Sequence, residues 1–421
     1  MYHYPPTITR HSWLGSTLAA RYMSAMNSKA LVPLLLCSLS TFAATAPEPK
    51  FRAADVDTKI EIGYGLAIAD VDGDGKPDIL LADKKQFVWY KNPTWEKFVL
   101  AENLTKEDNV CIAAADLDGD GKCEIAVGAG WNPGDTVNSG AVFYLIPPKD
   151  RTQKWEPVEL HHEPTVHRMR WVKNWQNEQE LVVVPLHGRG NKNGQGDGVK
   201  ILAYKKPADP KQEWTTRVMN ETLHMTHNLD PVQWDDDAAQ ELLIASREGV
   251  FALNWDPDAN ALKASQLSGT ESSGAGEVRL GKLSGGKRFF ATVEPMHGTN
   301  LVVFTPPAKD DGKTLWTRHV LDSSLVDGHA VACRDLIGLG ADQVVVGWRA
   351  MNKPGVKVGI RLFTPLDKDG NDWRMSVIDD NTMACEDLTV ADLNGDGKLD
   401  IIAAGRATKN VKVYLNEGAA R

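Results

Sequence analysis

The sequence is poor in the features that mark most specialised folds. Its 421 residues hold five Cys, with no CxxC pair and no framework spacing, which excludes a disulfide-stapled scaffold. No apolar run approaches the length of a membrane span. Lys and Arg number 47 against 56 Asp and Glu, and the resulting charge of −9 argues against nucleic acid, whose phosphates need a basic face. No HExxH and no nucleophile-elbow Ser occurs, and the Gly clusters at 188–194 and 274–276 lack the strand-to-helix context of a phosphate cradle. Phe (10) and Tyr (8) are each outnumbered by Trp (13), alongside 36 Gly. That composition suits a repeated β unit better than one large α/β core.

The N-terminus reads as a targeting segment. Ala30–Leu39 is a short apolar stretch preceded by Lys29 and followed by the mostly small residues Thr41–Ala46, the plan of a signal peptide. Residues 1–46 are assigned to it, with Met26 as its natural start and an overlong N-terminus before that. The expectation is an exported protein, periplasmic or extracellular, with residues 47–421 as a single domain. Cys37 leaves with the signal, and Cys111, Cys123, Cys333 and Cys385 are expected as buried thiols.

A repeat is written in aspartates. Ala69–Leu80, Ala115–Ala126 and Ala391–Ile402 share the form ADxDGDGKxD with small variations, each between two short β-type apolar runs. In the first copy Asp70, Asp72, Asp74 and Asp78 occupy loop positions 1, 3, 5 and 9. Asp116, Asp118, Asp120 and Glu124 do so in the second, and Asp392, Asn394, Asp396 and Asp400 in the third. Oxygens at this spacing can converge on one hard cation. The backbone carbonyls of Lys76, Lys122 and Lys398 at position 7 would complete a cage for Ca²⁺, about three ions per chain. Degenerate copies at 172–183, 233–244, 280–290 and 335–345 bring the count to seven, spaced by about 54 residues, a four-stranded blade each. The expected fold is an all-β, seven-bladed β-propeller.

Tryptophans mark a further strand. Trp95, Trp155, Trp214, Trp316 and Trp373 each begin a short β-type segment after a polar loop, where an outermost strand belongs. Nothing after the last repeat supplies that strand, but Phe51–Val56 fits its pattern. The N-terminal strand is therefore expected to complete the last blade and close the ring, which removes the exposed sheet edge.

The acidic loops would lie on one face, so the starts of the inner strands belong to the other. Counting back from each repeat places His167, His227, His329 and Glu386 there, and counting forward places His187, Arg349 and Arg406, with His297 near the equivalent position. Lys84, Trp131 and Arg247 share that second ring, and His162 and His224 are close by. Imidazoles and guanidiniums at one mouth suit a carbonyl-bearing or anionic ligand. His167, His227 and His329 could hold Zn²⁺ or another divalent metal.

The aspartate repeats resemble the FG-GAP/VCBS class of extracellular propeller repeats over nearly all of the mature chain. That class implies the fold and Ca²⁺, and is nearly silent about activity. Pro164–Trp171, Val184–Gly190 and Met383–Leu388 are similar to the propeller portion of the aldos-2-ulose dehydratase family, which eliminates water from oxidised sugars. The resemblance implies a carbohydrate lyase or dehydratase acting by β-elimination on a keto-sugar or uronate. A histidine would be the base, Arg349, Arg406 or a bound metal the electrophile, and Glu386 an acid or an orienting group. The rival reading is a non-catalytic module that binds a glycan or a protein partner.

Overall fold

Among the described residues strand follows strand with no helix between them. The structure, a computed structural model, describes residues 46–420 apart from 236, 257–260, 270–273, 310 and 352–354, so the expected signal peptide lies outside the described residues. The described strands form seven four-stranded antiparallel sheets. Blades 1–6 are each a run of four consecutive strands, their inner strands being Gly65–Ala69, Cys111–Ala115, Val166–Lys173, Thr226–Val232, Arg279–Lys282 and Gly328–Arg334. Blade 7 takes its inner three strands, Cys385–Ala391, Asp400–Gly405 and Asn410–Ala420, from the end of the chain, and its outermost strand is Glu48–Asp57. Phe51 pairs with Asn416 and Ala54 with Val413. The ring is closed by the N-terminal strand, as the sequence indicated.

Burial follows strand position. The second strands, such as Asp78–Ala82 (DILLA) and Asp400–Gly405 (DIIAAG), are buried along their whole length because a blade covers each of their faces. Outer strands such as Thr215–Asn220 keep mostly solvent-facing or half-buried positions. The apolar residues do not form one core. They gather in seven clusters, one at each blade–blade interface, including one that joins blade 7 to blade 1 through Ile402, Ala404, Leu66 and Ile79.

The tryptophans sharpen this picture. Trp155, Trp214 and Trp316 stand immediately before their outer strands and are buried against the preceding blade. Trp155 donates its backbone N–H to Leu100 O at 2.8 Å, and Trp316 to Leu267 O at 2.8 Å, each acceptor lying in the neighbouring blade. Trp214 packs on Tyr144 and Trp171, with ring centroids 5.3 and 6.4 Å away. Trp95 and Trp373 lean on the same side of their blades, and Phe51 does so for blade 7. These residues are clamps between blades as much as strand markers. The four cysteines are free and buried, and burial pushes each thiol well above its ordinary pKa.

Two outcomes follow from the ring. Trp214→Ala should cost about 3–5 kcal/mol in urea unfolding, the usual range for a buried aromatic. Trp255→Ala, whose partly exposed ring only stacks on Trp175 at 3.8 Å, should cost far less. Starting the mature chain at Thr58 should lower the melting temperature and produce higher oligomers in size-exclusion chromatography, because the third strand of blade 7 becomes an open edge. A truncated chain that stays monomeric with an unchanged melting temperature would contradict the closure.

Candidate functional site

The acidic loops join the first and second strands of their blades, and the three full copies fold alike. Asp70 accepts the N–H groups of Gly73 and Gly75, both at 2.7 Å, which requires the left-handed conformation both glycines adopt. Asp116 does the same with Gly119 (2.7 Å) and Gly121 (3.0 Å), and Asp392 with Gly395 and Gly397, both at 2.8 Å. The N–H groups of Lys76, Lys122 and Lys398 donate to Asp74, Asp120 and Asp396 at 3.0, 2.8 and 2.9 Å. Ligand oxygens of Asp70, Asp72 and Asp78 lie within 4.8 Å of one another, as do those of Asp116, Asp118 and Glu124. Asn394 supplies an amide at position 3 of the last copy. An all-oxygen, multiply anionic set of this kind fits a hard cation. The degenerate copy of blade 4 brings Asp235, Asp237 and Glu241 equally close.

Position 9 has a second role. Asp78 is fully buried and accepts the N–H of Val71 at 2.9 Å and of Asn92 at 2.8 Å. Glu124 accepts from Leu117 at 2.9 Å, and Asp400 from Leu393 and Asn416 at 3.0 and 2.8 Å. Burial pushes the Asp78 carboxyl up to about 6, with the charges of Asp72 and Asp70 adding to the rise, and burial raises Glu124 and Asp400 too. A cation among these carboxylates would oppose that shift.

At the opposite ends of the inner strands, four blades share a local irregularity. Each inner strand carries one extra residue that the ladder skips: His167 between Val166 and Arg168, His227 between Thr226 and Asn228, His329 between Gly328 and Ala330, and Glu386 between Cys385 and Asp387. A bulge re-aims the side chain it frees. Here all four side chains are buried, at 5%, 1%, 3% and 2% exposure, and the three imidazoles gather at the channel. His297 joins them from the turn after the second strand of blade 5, itself in the left-handed region at φ 57°.

The imidazoles touch. Ring centroids of His227 lie 4.6 Å from His167, 4.7 Å from His297 and 5.3 Å from His329, and His297 lies 4.9 Å from His329. Trp131 of blade 2 stacks on His167 at 4.8 Å. Hydrogen bonds fix the tautomers. The Nδ1–H of His167 donates to His227 O at 2.8 Å, that of His227 to Gly276 O at 2.7 Å, and that of His329 to Glu386 O. Gly276 is needed there, because a Cβ would meet the backbone of Met296 at 3.1 Å and of His297 at 3.3 Å. With Nδ1 committed, His227 offers a lone pair at Nε2. It faces His297 Nε2 at 2.7 Å, so His297 carries the proton between them and its Nδ1 faces Arg349 Nη2 at 3.4 Å. Among the described residues, His329 Nε2 has no hydrogen-bond partner. Burial, reinforced by neighbouring guanidiniums or imidazoles, lowers all four pKa values, so the rings are neutral near pH 7.

One ring nitrogen each from His227, His297 and His329 lies within 4.8 Å of the others. Neutral imidazoles, with the far nitrogens of His227 and His329 held by carbonyls, are the donor set a Zn²⁺-like ion takes. His297 would move its proton to Nδ1, where Asp327 Oδ1 stands 3.8 Å away. His167 is not in this group: its Nε2 accepts from Arg168 Nη1 at 3.2 Å.

A charged chain borders the cluster. Glu386 is held between Arg349 Nη1 at 2.6 Å and Arg406 Nη1 at 2.8 Å, and Arg349 Nε also donates to Asp327 at 3.0 Å. Glu386 therefore pins two guanidiniums and orients His329 through its backbone. Arg406 lies over the Tyr64 ring at 5.3 Å. His187 is half-buried, with its N–H donated to Thr165 Oγ1 at 2.9 Å, and no ring contact or hydrogen bond joins its imidazole to the cluster. Lys84 and Arg247 turn to Glu61 and Asn193 O instead.

Sequence counting did not find Asp327, Glu277 or Arg168. Glu277 lies under His227, with Oε1 3.3 Å from its Nδ1, and accepts from Asn228 Nδ2 at 2.6 Å. Its signal was weak, because blade 5 has a short inner strand and no bulge to align it.

Comparison with known proteins is consistent with this geometry. A family model described as the β-propeller domain of aldos-2-ulose dehydratase matches residues 139–309, the stretch that supplies His167, His227 and His297. Models of the FG-GAP-like repeat and the FG-GAP repeat match residues 70–127 and 112–145. No curated protein matches the chain. Among solved structures, a chain of "Crystal Structure of Mitotic Checkpoint Complex" aligns at TM-score 0.53 and 11% identity, covering 96% of this chain and 99% of that one. BBS1N in complex with ARL6DN aligns at 0.51 and 14%, covering 88% and 96%. The β-propeller domain of Myceliophteria thermophila Cps50 (Swd1) aligns at 0.51 and 10%, covering 86% and 99%. At these identities the likeness concerns the fold alone. The chain is a seven-bladed β-propeller that carries FG-GAP repeats in its first blades and matches the aldos-2-ulose dehydratase propeller domain from the outer half of blade 2 to the third strand of blade 5.

Proposed function

We propose that this is an exported, Ca²⁺-stabilised propeller that acts on carbohydrate, as a lyase or dehydratase that eliminates a β-oxygen from a keto-sugar or uronate. The observation that carries the reading is the convergence of His227, His297 and His329 beside Arg349, within a chain whose residues 139–309 match a sugar dehydratase propeller. Elimination next to a carbonyl needs a base that is neutral at working pH and positive charge at the developing enolate. His329 Nε2 is free to take the proton, and Arg349 stands beside His297 with its charge fixed by Asp327 and Glu386. A Zn²⁺-like ion on the three histidines would take His329 Nε2 as a ligand, so it would supply Lewis acidity at the carbonyl oxygen in place of that base and not beside it.

Incubation with keto-sugars and uronate polysaccharides should generate an ultraviolet-absorbing unsaturated product. His329→Ala should lower the rate by about 10²–10⁴-fold, the usual contribution of a general base. Arg349→Gln should lower kcat with the fold intact. Silence across the panel, with sugar binding retained and unaffected by these changes, would leave a non-catalytic glycan-binding module in place of the enzyme.

The acidic loops lead to a separate expectation. Dialysis against a chelator should lower the melting temperature, and Ca²⁺ should restore it with about three ions bound per chain. Asp116→Asn should remove about one of them. A melting temperature indifferent to chelator and Ca²⁺ would overturn the assignment.

A further inference from the structure

Below the histidines the channel changes character. The inner strands surround a cavity of about 410 Å³, within the roughly 300–1,000 Å³ range of small-molecule sites. Alternate residues of a strand face one side. Beyond the His227 bulge the alternation resumes with Asn228, two positions after which comes Asp230, and Arg170 and Arg279 occupy the neighbouring strands on either side. Arg334 and Asp387 complete the charged lining.

The carboxylates of this lining are accounted for by the ring itself. Asp230 accepts the N–H of Leu280 at 2.9 Å, and Asp387 that of Leu66 at 2.8 Å, so each stitches its inner strand to the next blade. The arginines have no such role. Arg170, Arg279 and Arg334 each donate one Nη1–H to the carbonyl of the residue just before, Met169 at 2.8 Å, Val278 at 2.6 Å and Cys333 at 2.8 Å. Among the described residues, none of the three has a carboxylate within 4.0 Å or any further side-chain hydrogen bond. A guanidinium presents five N–H donors, so most of those on the half-buried Arg170 and Arg279 are unfilled. Burial, together with the charge of Arg279, lowers the Arg170 pKa, while Asp230, Glu277 and Asp387 raise that of Arg279 against its burial, so the charges of the lining act on one another across the cavity.

We propose that this cavity is an oxyanion site, in which Arg170, Arg279 and Arg334 bind the carboxylate or phosphate group of a small molecule. Guanidiniums from blades 3, 5 and 6 approach the space from different directions, which suits an anion whose oxygens take bonds on several sides. The positive lining inside an acidic protein would also focus small anions into the channel. The site does not use the histidines, and it stands whether or not the catalytic reading does.

The test is calorimetric titration of the mature protein with sodium phosphate and with sodium glucuronate. Sodium chloride at matched ionic strength and glucose serve as controls. Saturable binding of phosphate, glucuronate or both is expected, and the two arms decide between a free inorganic anion and a sugar carboxylate. Arg170→Met and Arg334→Gln should each weaken that binding at least about tenfold, the loss of one charge-assisted hydrogen bond. Arg334 has an exposed side chain at the lip, so its variant keeps the test valid if Arg170→Met fails to fold. Binding should persist in His329→Ala, which separates this site from the catalytic one. Absence of binding, equal binding of chloride, or affinity unchanged in Arg334→Gln would overturn the proposal.

Discussion

Pairing between the first and last strands is the constraint on which the rest of the molecule depends. Among the described residues apolar surface is buried in quantity at the blade interfaces, and a ring has one interface more than an open stack of the same blades. The pairing of Phe51 with Asn416 and of Ala54 with Val413 completes the sheet that supplies that extra interface. Closure also fixes a radius. Once seven inner strands must surround one axis, residues far apart in sequence, such as His167, His227 and His329, have to meet.

Meeting is not yet a site, and the bulges make the difference. In a regular strand the alternation that sends Arg168 or Asp387 toward one side would send its neighbour to the other. The extra residue in blades 3, 4, 6 and 7 breaks that alternation at one place and adds a side chain to the channel. The backbone carbonyls of the next blade then receive the Nδ1–H groups, so ring closure and imidazole orientation depend on the same inter-blade spacing. Low pKa values follow from burial and from neighbouring positive charge. The site is thereby kept as a cluster of neutral bases, the state in which imidazole accepts a proton or a metal.

Much of this could be read from the chain. The spacing of ADxDGDGKxD gave the blade length, the tryptophans gave the outer strands, and counting six residues back from each repeat found His227, His329 and Glu386. What could not be read was set by tertiary geometry. A bulge leaves no mark in composition, so the precision with which four side chains turn inward was hidden. Arg170, Arg279 and Arg334 look in sequence like ordinary charged residues on short strands, and only the closed ring shows that they face a common space. His187 has the right count but the wrong surroundings, since Thr165 engages its backbone and leaves its ring aside.

The loops show how a repeat can lose one job and keep another. In blade 6 the position-9 acid is replaced by Gln343, which still accepts the N–H groups of Leu336 at 2.7 Å and Ile337 at 3.1 Å. Blade 4 retains Glu241, which accepts from Trp234 at 2.7 Å. An amide oxygen can serve that bond as well as a carboxylate, because the requirement is an acceptor and not a charge. Positions 1 and 3 face a different requirement, since in blades 1 and 2 they converge with position 9 and repel unless positive charge lies close by, as Lys91 does beside Asp72 and Asp74. Blade 6 accordingly keeps Asp335 to cap Leu339 and Gly340 while the other acids have gone. The latch at position 9 belongs to the fold, which explains why the degenerate repeats still close into blades of the same length.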